Sequence, residues 1–121
     1  ESLLRAEQKI GTTMSLEGSA SGRILTAFAD ASTLAKLEAS GDELAPTAVL
    51  EACRRDGYAL SSGYTKSGVI AIAAPIFDHN DRCVATLSLV LPQTRFELEA
   101  VREPLLAAAR EITSIHQGKQ R

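Results

Sequence analysis

The sequence predicts one α+β domain, with helices first, then a hairpin-rich sheet, then a long helix. Three observations lead there. Small hydroxyl residues, apolar stripes and glycine stops mark out short helices across residues 19–57. From Tyr58 the apolar pattern becomes that of strands, with turn formers between two long runs. Towards the C-terminus the apolar positions return to spacings of three and four. At 121 residues the chain is long enough to bury one core and short enough that few of its elements are spare.

Residues 1–10 contain good helix formers without a clear amphipathic stripe, so helix, strand end and frayed terminus all stay open. The first helix is expected to start in Ser19-Ala20-Ser21-Gly22, where small hydroxyl residues cap, and to run through Ile24, Leu25, Ala27 and Phe28 to near Asp30. Asp30 is placed to cap a second short helix carrying Leu34 and Leu37, which Gly41 stops in a left-handed conformation. Pro46 suits the first turn of a third helix, whose apolar side is Val49, Leu50 and Cys53, and which Arg54, Arg55 and Gly57 close. After Tyr58-Ala59-Leu60, the Ser/Gly/Thr-rich residues 61–68 read as a loop or ragged hairpin arm.

Residues 69–77 are apolar at almost every position, as a strand covered on both faces requires. Asp78-His79-Asn80-Asp81 is dense in turn formers, and a second long strand follows over residues 82–91, giving an antiparallel hairpin. On that strand Cys83, Ala85, Leu87, Leu89 and Leu91 are expected on one face, with Val84, Thr86, Ser88 and Val90 on the other. The second face carries hydroxyls among apolar side chains, the combination that orients a small guest on a sheet. Leu98, Val101, Leu105, Ala109, Ile112 and His116 define a long amphipathic helix, in which Pro104 marks either a kink or the true first turn. Residues 117–121 are expected to be loose.

Composition excludes several classes. A formal charge of −2 with evenly scattered Lys and Arg provides no basic stripe for a phosphate backbone, so this segment is not expected to bind DNA unaided. The absence of Trp, with two Tyr and three Phe, removes the stacking platforms of a single-strand binder. No apolar run approaches a membrane span and no leader pattern is present, so the expected setting is cytoplasmic, with no membrane contact. Cys53 and Cys83 lie in apolar segments without CxxC spacing, which favours buried free thiols over a disulfide or metal site.

Five motifs stand in register: Gly11-Thr12-Thr13-Met14-Ser15-Leu16, then Ser19-Ala20-Ser21-Gly22-Arg23-Ile24-Leu25-Thr26-Ala27-Phe28, Arg55-Asp56-Gly57-Tyr58, Gly68-Val69, and Ile72-Ala73-Ala74-Pro75-Ile76-Phe77-Asp78. Their order and spacing resemble the effector-binding domain of the IclR family of bacterial transcription regulators, over nearly all the chain from Gly11 onward. The resemblance implies a GAF-like or profilin-like fold, with a central antiparallel sheet flanked by helices, and homodimers or homotetramers formed partly through this domain. It implies a small organic effector, often a carboxylate, held between sheet and loops, whose binding alters operator binding by a winged helix-turn-helix domain. That domain is not in this sequence, nor are the helix and strands the family places before the Gly11 turn. Residues 1–121 are therefore expected to be a partial effector-binding domain whose sheet lacks edge strands.

Carried over position by position, the family's ligand contacts fall on Ala20 and Ser21, on Ser61 or Ser62, on Ala71, and on Ser88 and Val90, with Thr13 and Met14 lining a wall. Independently of the family, small side chains at a helix start leave backbone N–H groups exposed to an anionic guest. The same residues also read as ordinary capping. Where some keto-acid sensors of the family place polar or acidic groups, this chain has Ser61, Ser62, Ala71 and Val90, so the expected guest has a carboxylate or other acceptor at one end and a larger apolar or aromatic body.

Other candidates have plainer readings. Asp78, His79 and Asp81 suit a solvated turn better than a metal site, and neither metal nor cofactor is expected. His116 stands at the end of the last helix and Gly18 to Gly22 has Ala where a nucleophile elbow needs Ser, so no catalytic residue is expected. Arg54-Arg55 is read as complementing the C-terminal end of its own helix. Tyr58 and Tyr64 either flank a pocket mouth or, as is commoner at a strand start, are partly buried. Two rival classes remain at this stage: a GAF- or PAS-like sensory module of another signalling protein, and a small enzyme. A helix-turn-helix upstream of Glu1 would decide against the first, and turnover of a bound metabolite would be needed for the second.

Overall fold

The computed structural model describes residues 15–62 and 68–118. The open question over residues 1–10, and the candidates Thr13, Met14 and Tyr64, lie outside the described residues. The element order is α1 (Ala20–Ala27), α2 (Ala31–Ala39), α3 (Thr47–Asp56), β1 (Ala59–Leu60), β2 (Val69–Phe77), β3 (Cys83–Pro92), a single 3-10 turn (Gln93–Arg95) and α4 (Leu98–His116). The three strands form one antiparallel sheet in the order β1-β2-β3. It is the predicted α+β arrangement, with helices on both faces.

Local chemistry explains the helix boundaries. Ser19 caps α1 by accepting from the Gly22 amide at 2.8 Å, and Asp30 caps α2 by accepting from the Thr33 amide at 2.8 Å. That amide contact holds the Asp30 carboxyl below its ordinary pKa. Gly41 and Gly57, the residues expected to end the second and third helices, both take left-handed backbone conformations, with φ of +85° and +82°. The first helix ends at Ala27, short of Asp30, because Phe28 leaves helical geometry as its C-cap. Pro46 is the N-cap residue of α3 rather than part of its first turn. Pro104 marks no helix start: α4 begins six residues earlier and runs through it, 19 residues in all.

The two faces of β2 bury different clusters. On one face Ala59 and Ala73 pack under Ala20, Ile24 and Ala27 of α1 and Leu50 and Cys53 of α3. On the other, Ile72 and Ala74 pack under Leu105 and Ala109 of α4, with Leu60, Leu87, Leu89 and Tyr58 around them. This explains the unbroken apolar run of β2, where Ile72, Ala73 and Ala74 are all 0% exposed. Ile24, also 0% exposed, contributes about 2–3 kcal/mol by its burial. β3 lies at the sheet's edge among the described residues, and its side chains are half-buried or exposed.

Two expectations require correction. A register irregularity at Ile76/Phe77 pairs Ile76 with Ala85 and Phe77 with Cys83, so β3 carries one residue more than β2 there. Cys83 therefore packs with the α1 cluster, on the face opposite Leu87 and Leu89. Gln117 is not loose: its Nε2 donates to the Asp78 carbonyl at 2.7 Å and to Asp81 Oδ1 at 3.3 Å, tying the end of α4 to the hairpin turn.

Candidate functional site

Several residues singled out in the sequence lie together where the start of α1 meets β2 and β3. Gly22 allows that approach: a Cβ built there would stand 2.5 Å from the Ser15 carbonyl oxygen and 2.7 Å from Leu16 Cα. The turn before α1 thus presses on its first turn and points Ser21 at the sheet. Ser21 Oγ lies 2.9 Å from Thr86 Oγ1 and 2.8 Å from Ser88 Oγ, within hydrogen-bonding distance of both. Thr86 and Ser88 share a face because they are two apart on β3, opposite Pro75 and Ala73 of β2. The pair Ala71 and Val90 continues that face, both half-buried.

The loop side is built by Ser61 and Ser62. Ser61 donates its amide to the Ala71 carbonyl at 2.9 Å, while its Oγ accepts from the Ala71 amide at 3.0 Å, extending the β1 ladder through a side chain. Ser62 donates its amide to the Gly18 carbonyl at 2.9 Å, which ties this loop to the turn before α1. Ser62 is exposed and Ser61 half-buried. The structure thus gathers Ser21, Ser61, Ser62, Ala71, Ser88 and Val90 around the same end of the sheet. Ala20 differs: its side chain is 2% exposed and belongs to the core beside Ile24.

The capping and anion readings of the helix start meet at one amide. Ser19 takes that of Gly22, as capping requires. The amides of Ala20 and Ser21 precede the first intrahelical bonds by position and keep the positive end of the helix.

Two further residues complete the geometry, and sequence reasoning did not single them out for the site. Thr86 supplies the second hydroxyl facing Ser21; its place on the hydroxyl-bearing face was the available signal. Arg23 donates from Nε to the Glu17 carbonyl at 2.8 Å and from Nη1 to the Leu60 carbonyl at 3.3 Å, clamping the turn before α1 to β1. No local pattern marks that role, since its partners come from two separate segments.

Asp78 accepts from the Asn80 and Arg82 amides at 2.8 and 2.9 Å, so its carboxylate serves its own turn, and those amides hold its pKa below the ordinary value. No group of three or more metal-ligating side chains occurs among the described residues. Cys53 is a buried free thiol and Cys83 a half-buried one, and burial pushes the pKa of each up. Arg54 and Arg55 both stand in the last turn of α3, and Arg54 also closes the end of α1, its Nη1 donating to the Ala27 carbonyl at 2.9 Å. Tyr58 is partly buried on the α4 face, away from the Ser21 cluster, and its hydroxyl helps hold the charge of Arg102. A separate cavity of about 470 Å³ lies between the ends of α1 and α3 and the later turns of α4, and none of the predicted site residues lines it.

The family model described as the C-terminal domain of the bacterial transcriptional regulator IclR matches residues 1–114. The chain belongs to the IclR family. Among solved structures it is similar to Pseudomonas aeruginosa HmgR, with 31% identity over 97% of this chain and 52% of that one, at a TM-score of 0.71. It is also similar to the C-terminal domain of the E. coli transcriptional regulator KdgR, at 27% identity and a TM-score of 0.70, covering 84% of this chain and 71% of that chain. A double mutant of the Acinetobacter PobR inducer-binding domain, solved with 3-hydroxybenzoic acid, shares the fold, at 20% identity and a TM-score of 0.65 over 86% of this chain and 66% of that one. No curated protein sequence matches the chain. The IclR domain described here thus spans about half the length of HmgR. Membership in a family of transcriptional regulators decides against a sensory module of some other signalling class. No helix among the described residues is long and apolar enough to cross a membrane.

Proposed function

We propose that this chain is the effector-binding and oligomerising part of an IclR-type regulator, without enzymatic activity of its own. A small organic acid with an apolar or aromatic body binds where α1 meets the sheet. Its binding shifts the shape or assembly of a homodimer or homotetramer, and so the grip on an operator of a winged helix-turn-helix carried elsewhere in the full protein. The proposed contacts are Ser21, Ser61, Ser62, Ala71, Ser88 and Val90, with Thr13 and Met14 as a wall and Ala20 as the packing residue that sets the helix start.

The observation that carries this reading is the three-hydroxyl cluster at the start of α1, within a chain of this family. Ser21 is hydrogen-bonded to both Thr86 and Ser88, and because a hydroxyl can either donate or accept, the three can re-pair with a carboxylate at little cost. The amides of Ala20 and Ser21 add the positive end of a helix dipole. Ala71 and Val90 offer the guest methyl groups rather than charge, which favours an apolar body.

A thermal-shift screen of carboxylic and aromatic metabolites tests the proposal, because a ligand at one hundred times its Kd stabilises the folded state by about 2.7 kcal/mol. An aromatic or long-chain acid is expected to raise the melting temperature, and Ser21→Trp or Ser88→Trp to abolish the rise. Calorimetric detection of tight binding by glyoxylate-sized acids alone would overturn the assignment of ligand class.

A further inference from the structure

We propose that the cavity between α1, α3 and α4 is a second small-molecule site, separate from the Ser21 cluster, taking a flat apolar or aromatic body that bears one anionic group. Its floor is apolar. Ala74, Pro75 and Phe77 of β2 form one wall with Phe28, whose ring stands edge-on to that of Phe77 at 5.5 Å and 80°. Leu106 and Ala109 of α4 close the opposite side. With about 470 Å³ available, the space suits a guest of one or two rings.

The backbone here suits a compact guest rather than another strand. β1 pairs with β2 only at Ile72 and Ala73, so the edge of β2 from Ala74 onward has no strand beside it among the described residues. Along that edge Pro75 has no N–H to offer, and the Phe77 amide already donates to Thr113 Oγ1 at 3.1 Å. A strand laid there would find its ladder donors missing or engaged.

The rim carries polar groups that the fold fixes at one end and leaves available at the other. Arg54 is anchored through Nη1 to the Ala27 carbonyl, which leaves Nε and Nη2 as donors of fixed origin. The Thr113 hydroxyl accepts from Phe77 and retains its own hydrogen to donate. The Gln117 amide nitrogen is held by Asp78 and Asp81, leaving its oxygen as an acceptor for a guest's hydroxyl. Arg110 adds a second positive charge on the lining, whereas the one acidic lining residue, Asp56, is paired with Arg55. The balance is cationic over an apolar floor, complementary to an aromatic or alicyclic carboxylate.

The two sites share no side chain, so one can fail while the other stands. The test titrates 15N-labelled full chain with 1-naphthoate and follows backbone amides, comparing the wild type with Arg110→Glu, Ser114→Trp and, as a control at the other site, Ser21→Trp. Saturable shifts centred on Phe77, Arg110, Thr113 and Gln117 are expected. Reversing the exposed Arg110 charge is expected to weaken binding about fivefold, while Ser21→Trp leaves it unchanged. Ser114→Trp is expected to abolish the shifts if it melts as the wild type does; Arg110→Glu, on an exposed side chain, decides the matter if it does not. Shifts confined to the neighbourhood of Ser21 and Ser88, no saturable shifts at all, or an affinity indifferent to Arg110→Glu would overturn the proposal.

Discussion

Gly22 shows how closely the candidate site depends on one missing methyl group. An alanine there gains about 1 kcal/mol of helix propensity, but its Cβ would press on the Ser15 carbonyl and Leu16 Cα, both main-chain atoms. Moving that backbone costs about 1–3 kcal/mol and also rotates Ser21 away from Thr86 and Ser88. Gly22→Ala is therefore expected to lower the urea midpoint and to weaken effector binding together. A raised midpoint would show that the turn before α1 yields freely. Caps at this scale were legible in the sequence, because Ser19, Asp30 and Gly57 act on amides or dihedrals within a few residues of themselves. The reach of Arg54 to α1 was not: its partner, the Ala27 carbonyl, is 27 positions away, and nothing local marks a last-turn arginine that also bonds another helix.

At the scale of elements, α4 carries a defect that its packing tolerates. Pro104 sits in the seventh position of the helix, where it cannot donate to the Ala100 carbonyl and its ring crowds that oxygen. Leu105 and Ala109, 2% and 3% exposed, hold the helix on the sheet despite it. Since Pro104 itself is exposed, Pro104→Ala is expected to stabilise the fold by up to about 3 kcal/mol, read as a higher melting temperature. An unchanged or lowered melting temperature would mean that the helix depends on the proline's shape. The hairpin illustrates the reach and the limit of pattern reading. Alternation places Thr86, Ser88 and Val90 on one face correctly, since a strand's period of two holds wherever register is regular. It places Cys83 wrongly, because the irregularity at Ile76/Phe77 arises from pairing with a neighbour and leaves no mark in the alternation.

For the whole molecule, the two thiols report on different depths of the structure. Cys53 lies at the junction of α1, α3 and the sheet, 5% exposed, whereas Cys83 starts β3, at the sheet's edge among the described residues, and is half-buried. Burial raises both thiol pKa values, which makes thiolate scarce at neutral pH. Native-state alkylation with iodoacetamide is expected to modify Cys83 first, through fraying of the sheet edge, and Cys53 only at the rate of global opening. Equal rates would show that the α1 cluster opens as readily as the edge. The overall α+β order was readable because periodicity and caps are properties of single segments. The cavity was not, since residues 28, 54, 77 and 113 lie far apart in the sequence and meet only once the layers assemble.

The short span of α1 gives these features a mechanical relation. At eight residues it is a strut about 12 Å long, with Ser21 near one end and Phe28, backed by the Arg54 clasp, just past the other. Each end has its own fastening, Ser21 to Thr86 and Ser88 on the sheet and the Ala27 carbonyl to Arg54 of α3, so a change confined to the Ser21 end leaves the Phe28 end clasped.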